Sequence, residues 1–196
     1  MELLFKDNDI VVCIKPVGID AEHALPEILR RELDGQIFPV HRLDKNVGGV
    51  MVYARTKQAA ALLSRLIQQG QMVKEYVACV HGTPPPEGDW EDLLFKDRKR
   101  NKVFVVDRQR SGVRAARLEF RRLQENTRST VHIRLHTGRS HQIRVQCASR
   151  GYPLVGDHKY GARDDVAAPM LYSCRITFPY RGQLRQFDSC PTWTQI

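Results

Sequence analysis

Short β-prone runs recur along this chain, and only a few helical stretches interrupt them. A hairpin is predicted at residues 3–5 and 10–14 because a turn-rich tetrad separates the two runs. Further strands are predicted at residues 73–80, 102–107, 115–123, 129–136, 171–178 and 184–187. Helices are predicted at residues 22–33, 57–69 and 140–150. Strands and helices do not alternate as βαβ units, so the order favours an α+β fold with a largely antiparallel mixed sheet and flanking helices.

Length and charge narrow the class of protein further. The 196 residues can bury one core, and a single domain over residues 1–196 is predicted. No apolar run reaches the length that a bilayer requires and the N-terminus lacks a signal-peptide layout, so a cytoplasmic protein without a membrane partner is expected. The formal net charge of +9 favours a polyanionic partner, although a basic surface that only aids solubility explains it too.

Residues 41–53, His-Arg-Leu-Asp-Lys-Asn-Val-Gly-Gly-Val-Met-Val-Tyr, predict a loop that leads into a strand. Asp44 stands there among His41, Arg42 and Lys45, each of which can be cationic. Nearby positive charge keeps a carboxylate ionised even when it is partly buried, which suits a nucleophile or a base. From these residues alone, an Asp that caps a turn and pairs with Arg42 or Lys45 is an open alternative.

Four segments in order resemble the motifs of the RluA-type RNA pseudouridine synthases, and the resemblance spans roughly residues 2–190. The segments are residues 41–53, 74–82 (Lys-Glu-Tyr-Val-Ala-Cys-Val-His-Gly), 137–145 (Thr-Gly-Arg-Ser-His-Gln-Ile-Arg-Val) and 151–161 (starting Gly-Tyr-Pro-Leu-Val-Gly-Asp). The resemblance implies the pseudouridine synthase fold with a central catalytic cleft, in the form without an N-terminal accessory RNA-binding domain. It also implies an isomerase that acts on uridines of rRNA or tRNA. Because that reaction is redox-neutral and consumes no cosubstrate, no metal and no small-molecule cofactor are expected.

The same resemblance assigns roles to individual residues. Asp44 is expected to be the catalytic carboxylate, Tyr76 to stack on the uracil, and Arg144 to pair with Asp44. Arg42 is expected to fill the space that the target uridine leaves when it flips out of the RNA. Further contacts with the RNA or with the scaffold are expected from Arg139, His141 and Gln142, and Leu154 is expected to line the uracil pocket. RNA is the expected partner, and the protein is expected to be a monomer.

Two departures from the family pattern keep other interpretations open. Many relatives carry Thr-Ser-Gly where this chain has Val-Gly-Gly at residues 47–49, and a His-Ala pair of the family appears as Tyr172-Ser173. A non-catalytic RNA-binding protein or RNA chaperone that keeps the fold is therefore the alternative. A hydrolytic glycosidase fits less well, because no second carboxylate is evident for Asp44. The cations at residues 96–102 and 108–114 predict either a solvated hairpin or phosphate contacts.

Overall fold

The computed structural model describes residues 1–125 and 127–194. Within them lie eleven strands: β1 (Leu3–Lys6), β2 (Ile10–Lys15), β3 (Phe38–Pro39), β4 (Gly48–Ala54), β5 (Val73–His81), β6 (Glu87–Asp97), β7 (Lys102–Val106), β8 (Val113–Gln124), β9 (Arg128–Leu135), β10 (Leu171–Tyr180) and β11 (Gln183–Asp188). The α-helices there are α1 (Ala24–Leu33), α2 (Lys57–Gln68) and α3 (Gln142–Ser149), and short 3-10 helices lie at His158–Tyr160 and Thr192–Thr194. No helix in the described ranges is long and apolar enough to cross a membrane.

The first of two compact units combines residues 1–74 with the described residues from Tyr172 onwards. Its strands lie in the order β1-β2-β4-β10, with β3 paired to β4 and β11 paired to β10. All of these pairs are antiparallel except β4 with β10. Thr56 caps the N-terminus of helix α2, because its side chain accepts the N–H of Ala59. The helix buries its apolar stripe in the core of the unit. This sheet carries the loop that contains Asp44.

The second unit comprises residues 75–171, and its strands lie in the order β5-β9-β8-β6-β7. Strand β6 is antiparallel to both of its neighbours, β7 and β8. Helix α3 packs on this sheet because Val145 joins a buried cluster with Leu94 of β6 and Val103 of β7. Tyr160, from the 3-10 helix at His158–Tyr160, belongs to the same cluster. This packing fixes the helix that carries Arg144.

The predicted helices and strands are confirmed to within a few residues at each end. Strand β6 is the main exception, because no strand is predicted at residues 87–97. Its first half exposes Glu87, Asp89 and Glu91 to solvent on one face, which hides the alternating pattern behind an acidic composition. The α+β class with a largely antiparallel mixed sheet is confirmed, and the single domain stays a prediction.

Candidate active site

Asp44 lies in the loop between β3 and β4, and its side chain is half-buried. Its backbone oxygen accepts the N–H of Val47 at 2.9 Å, which closes a turn that delivers the chain to Gly48, the first residue of β4. Every residue of β4 is buried, so this strand is a rigid base for the turn. The predicted junction between loop and strand is confirmed.

Lys15, the last residue of β2, holds this turn from inside the protein. Its side chain is 0% exposed, and Nζ donates to the backbone oxygens of Ile19 at 2.7 Å, Pro16 at 2.8 Å and Lys45 at 3.0 Å. Burial lowers the pKa of Lys15 to about 8, and attraction to nearby carboxylates, Asp44 among them, opposes that effect. Sequence reasoning missed this cation, although a lysine before a Pro-x-Gly turn was its signal.

His41, in contrast, does not contribute positive charge beside Asp44. Burial and the charge of Lys74 lower its pKa to about 3, so the imidazole is neutral at physiological pH. Its Nε2 accepts the N–H of Val52 at 3.2 Å, which assigns the proton to Nδ1. Nδ1 is buried and has no hydrogen-bond partner in the part of the chain that the structure describes. The expectation that His41 can be cationic there is wrong, because the ring is enclosed by protein.

Arg42 lies on the surface two residues before Asp44. Its guanidinium pairs with Glu22 at 2.5 Å, and about half of the Arg42 side chain is exposed. An exposed ion pair of this kind contributes little to stability, so Arg42 can exchange Glu22 for another anion at low cost. Its role in base flipping stays a prediction.

The two departures from the family pattern face each other. Strands β4 and β10 run parallel where Gly48 pairs with Tyr172 and Gly49 pairs with Ser173. A Cβ on Gly48 would lie 3.2 Å from the backbone oxygen of Lys15 and 3.3 Å from the Tyr172 ring. The larger residue at 172 is therefore matched by a smaller one at 48.

In the second unit, Arg144 is held by a buried carboxylate. It is 8% exposed, while Asp157 is 1% exposed. Nε of Arg144 donates to Asp157 Oδ2 at 2.7 Å, and Nη2 donates to Oδ1 at 2.8 Å. The guanidinium also lies 5.1 Å from the centre of the Tyr160 ring, so its direction is set on two sides. Asp157 was not foreseen as a site residue, and pairing of Arg144 with Asp44 stays a prediction.

Tyr76 and Leu154 belong to the same part of the second unit. Tyr76 lies on β5 and is buried. Leu154 is fully buried and forms an isolated antiparallel bridge with Val80, also on β5. The structure thus places Leu154 beside the strand that carries Tyr76. Their contacts with uracil stay predictions.

The other expected contact residues, Arg139, His141 and Gln142, make hydrogen bonds within the protein, and their contacts with RNA stay predictions. Both ends of the buried Gln142 side chain are occupied, because Oε1 accepts from Thr137 at 2.8 Å and Nε2 donates to the backbone oxygen of Arg117 at 3.1 Å. His141 Nδ1 lies 2.9 Å from the hydroxyl of Tyr160. Arg139 is exposed, and its Nε donates a hydrogen bond to a backbone oxygen of β8. Of the three, Arg139 presents the most open side chain to a substrate.

Comparison with known proteins agrees with the motifs. A family model described as RNA pseudouridylate synthase matches residues 9–149. A protein named ribosomal large subunit pseudouridine synthase D from Nitrosomonas europaea is 30% identical over 96% of this chain and 61% of its own length. Its namesake from Pseudomonas aeruginosa is 35% identical over 95% of this chain and 62% of its own length. The chain therefore spans about three fifths of the length of these curated relatives.

A solved structure shows the same fold. Human RNA pseudouridylate synthase domain containing 1 superimposes with a TM-score of 0.85 at 21% identity, covering 97% of this chain and 83% of the human chain. The predicted pseudouridine synthase fold and the predicted resemblance to the family are confirmed. From the family match over most of its length, we conclude that the chain belongs to the RNA pseudouridylate synthase family.

Proposed function

We propose that this protein is an RNA pseudouridine synthase, an isomerase that converts uridines of rRNA or tRNA to pseudouridine. The observation that carries the proposal is the family match over residues 9–149, which includes Asp44 at its junction with a fully buried strand. The names of the relatives point to the large ribosomal subunit, so its RNA is the first substrate to test.

The reaction defines what Asp44 must do. Isomerisation breaks the bond between the sugar C1′ and N1 of uracil, turns the base, and forms a bond from C1′ to C5. The hydrogen at C5 leaves as a proton and N1 gains one, so atoms and electrons balance without a cosubstrate. Asp44 either attacks C1′ or removes a sugar proton, and both routes require an ionised carboxylate. The ammonium of Lys15 lies close enough to Asp44 for the two charges to attract each other.

Three further side chains complete the proposed machinery. Arg144, oriented by Asp157 and Tyr160, supplies a cation of fixed direction, and we assign it to the Asp44 carboxylate. The ring of Tyr76 stacks on the uracil, with its hydroxyl near C5. Arg42 takes the place of the flipped nucleotide, which must leave the stack before its glycosidic bond can be reached.

Release of tritium tests the proposal directly, because the hydrogen at C5 is lost only when the new bond forms. Transcripts of large-subunit rRNA and of tRNA, labelled with tritium at C5 of uridine, are incubated with wild type, Asp44→Asn and Asp34→Asn. Asp34 provides a matched control, because it is exposed and its φ of 51° suits Asn as well as Asp. We expect release from wild type and Asp34→Asn, and none from Asp44→Asn.

Binding measurements distinguish a variant that cannot catalyse the reaction from one that cannot bind the RNA. We expect Asp44→Asn to keep its affinity for the same transcript within a few fold of wild type. Tritium release by Asp44→Asn at the wild-type rate would refute the catalytic role of this residue. Binding without release from any transcript, by wild type as well, would instead favour the RNA-binding or chaperone alternative.

A further inference from the structure

Charge is strongly segregated along β6 and the residues that follow it. Residues 96–114, which we call the basic arm, contain eight Lys and Arg side chains and two Asp side chains. They carry a net charge of +6 out of +9 for the whole chain. Residues 87–92, at the start of the same strand, carry four carboxylates and no cation. A surface that served solubility alone would intersperse the two signs.

Cations outside the acidic half pair with its carboxylates, whereas the arm holds only the carboxylates of Asp97 and Asp107, which lie 3.7 Å from Arg100 and 3.9 Å from Arg108. Arg117 pairs with Asp89 at 2.6 Å, and Arg150 pairs with Asp92 at 2.8 Å. In the arm, the side chains of Arg98 and Lys99 are exposed and make no hydrogen bond or ion pair with any residue that the structure describes. The arm therefore holds unbalanced positive charge on a surface open to solvent.

The arm also has a defined geometry. Strands β6 and β7 pair in register from Leu93 with Val106 to Asp97 with Lys102, so the exposed turn at residues 98–101 projects from a regular hairpin. The guanidinium of Arg110 lies 4.8 Å from the centre of the Phe95 ring, which holds this cation against the base of the arm. Cations held on a hairpin lose less side-chain freedom on binding than cations on a disordered tail.

Tyr160 contacts both the hairpin and Arg144. The Tyr160 hydroxyl accepts the N–H of Val103 in β7 at 2.8 Å. The Tyr160 ring lies 5.3 Å from Nζ of Lys102 and 5.1 Å from the guanidinium of Arg144. The arm is thus continuous with the part of the second unit that carries a proposed catalytic residue.

We propose that the basic arm binds the phosphate backbone of the substrate RNA, beyond the nucleotide that reacts. Phosphates are the polyanion that matches unpaired Arg and Lys side chains on an exposed hairpin, and such contacts position the substrate without reading its sequence. This inference rests on the proposed function only in the identity of the RNA as a substrate. Protection of the β7 edge against aggregation is a weaker explanation, because one or two cations suffice for that purpose.

The test compares two triple variants that lose the same charge. The arm variant carries Arg98→Gln, Lys99→Gln and Arg100→Gln. The control variant neutralises three exposed cations of α1 and α2: Arg31→Gln, Lys57→Gln and Arg65→Gln. Affinity for a fluorescein-labelled oligouridylate is measured over a series of salt concentrations. Removing one cation that binds a phosphate of a single strand lowers the slope of log affinity against log salt by about 0.7, so we expect the slope of the arm variant to fall by about 2.

The outcomes are distinct. An unchanged slope in the arm variant overturns the inference, and so does an equal fall in the control variant, which would reflect net charge rather than direct binding. Tritium release from labelled rRNA is followed in parallel, where we expect the arm variant to raise KM more than it lowers kcat. If wild type releases no tritium but the slope of the arm variant still falls, the arm binds RNA and the proposed isomerase activity fails alone.

Discussion

Replacing Gly49 by Ala should disrupt the junction of β4 and β10. Gly49 has a φ of +120°, and a Cβ there would lie 2.2 Å from the backbone oxygen of Ser173 and 2.6 Å from its nitrogen. Both are backbone atoms, so no side-chain rotation relieves the collision. Left-handed strain costs about 1–2 kcal/mol and overpacking about 1–3 kcal/mol, so the free energy of unfolding should fall by about 2–5 kcal/mol.

Gly18→Ala is the matched control for this substitution. Gly18 has a φ of +88°, but its Cβ would have nothing within 4 Å, so only the strain of about 1–2 kcal/mol applies. Both variants are unfolded in urea and followed by far-UV circular dichroism. Their midpoints report stability provided that the m-value is the same as in wild type. Equal losses in the two variants would refute the reasoning, because the close approach to Ser173 would then contribute nothing.

Three further predictions concern groups near Asp44. The folded pKa of His41 is about 3 against an ordinary 6.5, so the unfolded state binds the extra proton between these values. The free energy of unfolding should therefore fall as the pH drops through this window, by at most about 1.4 kcal/mol per pH unit. In His41→Asn the urea midpoint should depend less on pH over the same range. Gly48→Ser should destabilise wild type more than it destabilises Tyr172→His, and a double-mutant cycle without coupling would contradict this. Lys15→Met should lower the free energy of unfolding by about 1–3 kcal/mol, because buried backbone oxygens of Pro16, Ile19 and Lys45 lose their donor; an unchanged urea midpoint would contradict this.

Local pattern was sufficient for most of the fold. The apolar stripe of α2 and the Gly70 that follows it predict a helix at residues 57–69, and the helix runs from Lys57 to Gln68. The junction before β4 was predictable for the same reason, since a double glycine followed by β-prone residues is a short-range signal. Strand β6 was not, because its pairing with both β7 and β8 outweighs an acidic composition that is unfavourable in strands.

Charges inside the protein were the hardest part of the site to predict. Lys15 donates to the backbone of Lys45, 30 residues further along the chain, and only the fold brings the two together. The pKa of His41 depends on enclosure that its neighbours in the sequence do not reveal. Asp157, which accepts hydrogen bonds from Arg144, lies 13 residues further along the chain, beyond the reach of helical spacing. Sequence singled out His41 and Arg144 but missed Lys15 and Asp157, because only tertiary packing brings these groups to their partners.

The pairing of Gly48 and Gly49 with β10 also dictates an order of events during synthesis. Ser173 donates to the backbone oxygen of Val50, 123 residues away along the chain, and closing a loop of that length costs about 4 kcal/mol of chain entropy. Residues 75–171 are contiguous and emerge from the ribosome before Tyr172 does. Strand β4 therefore lacks its neighbour β10 while the second unit is already free to fold. Nascent chains halted before residue 172 should expose the β10-facing edge of β4.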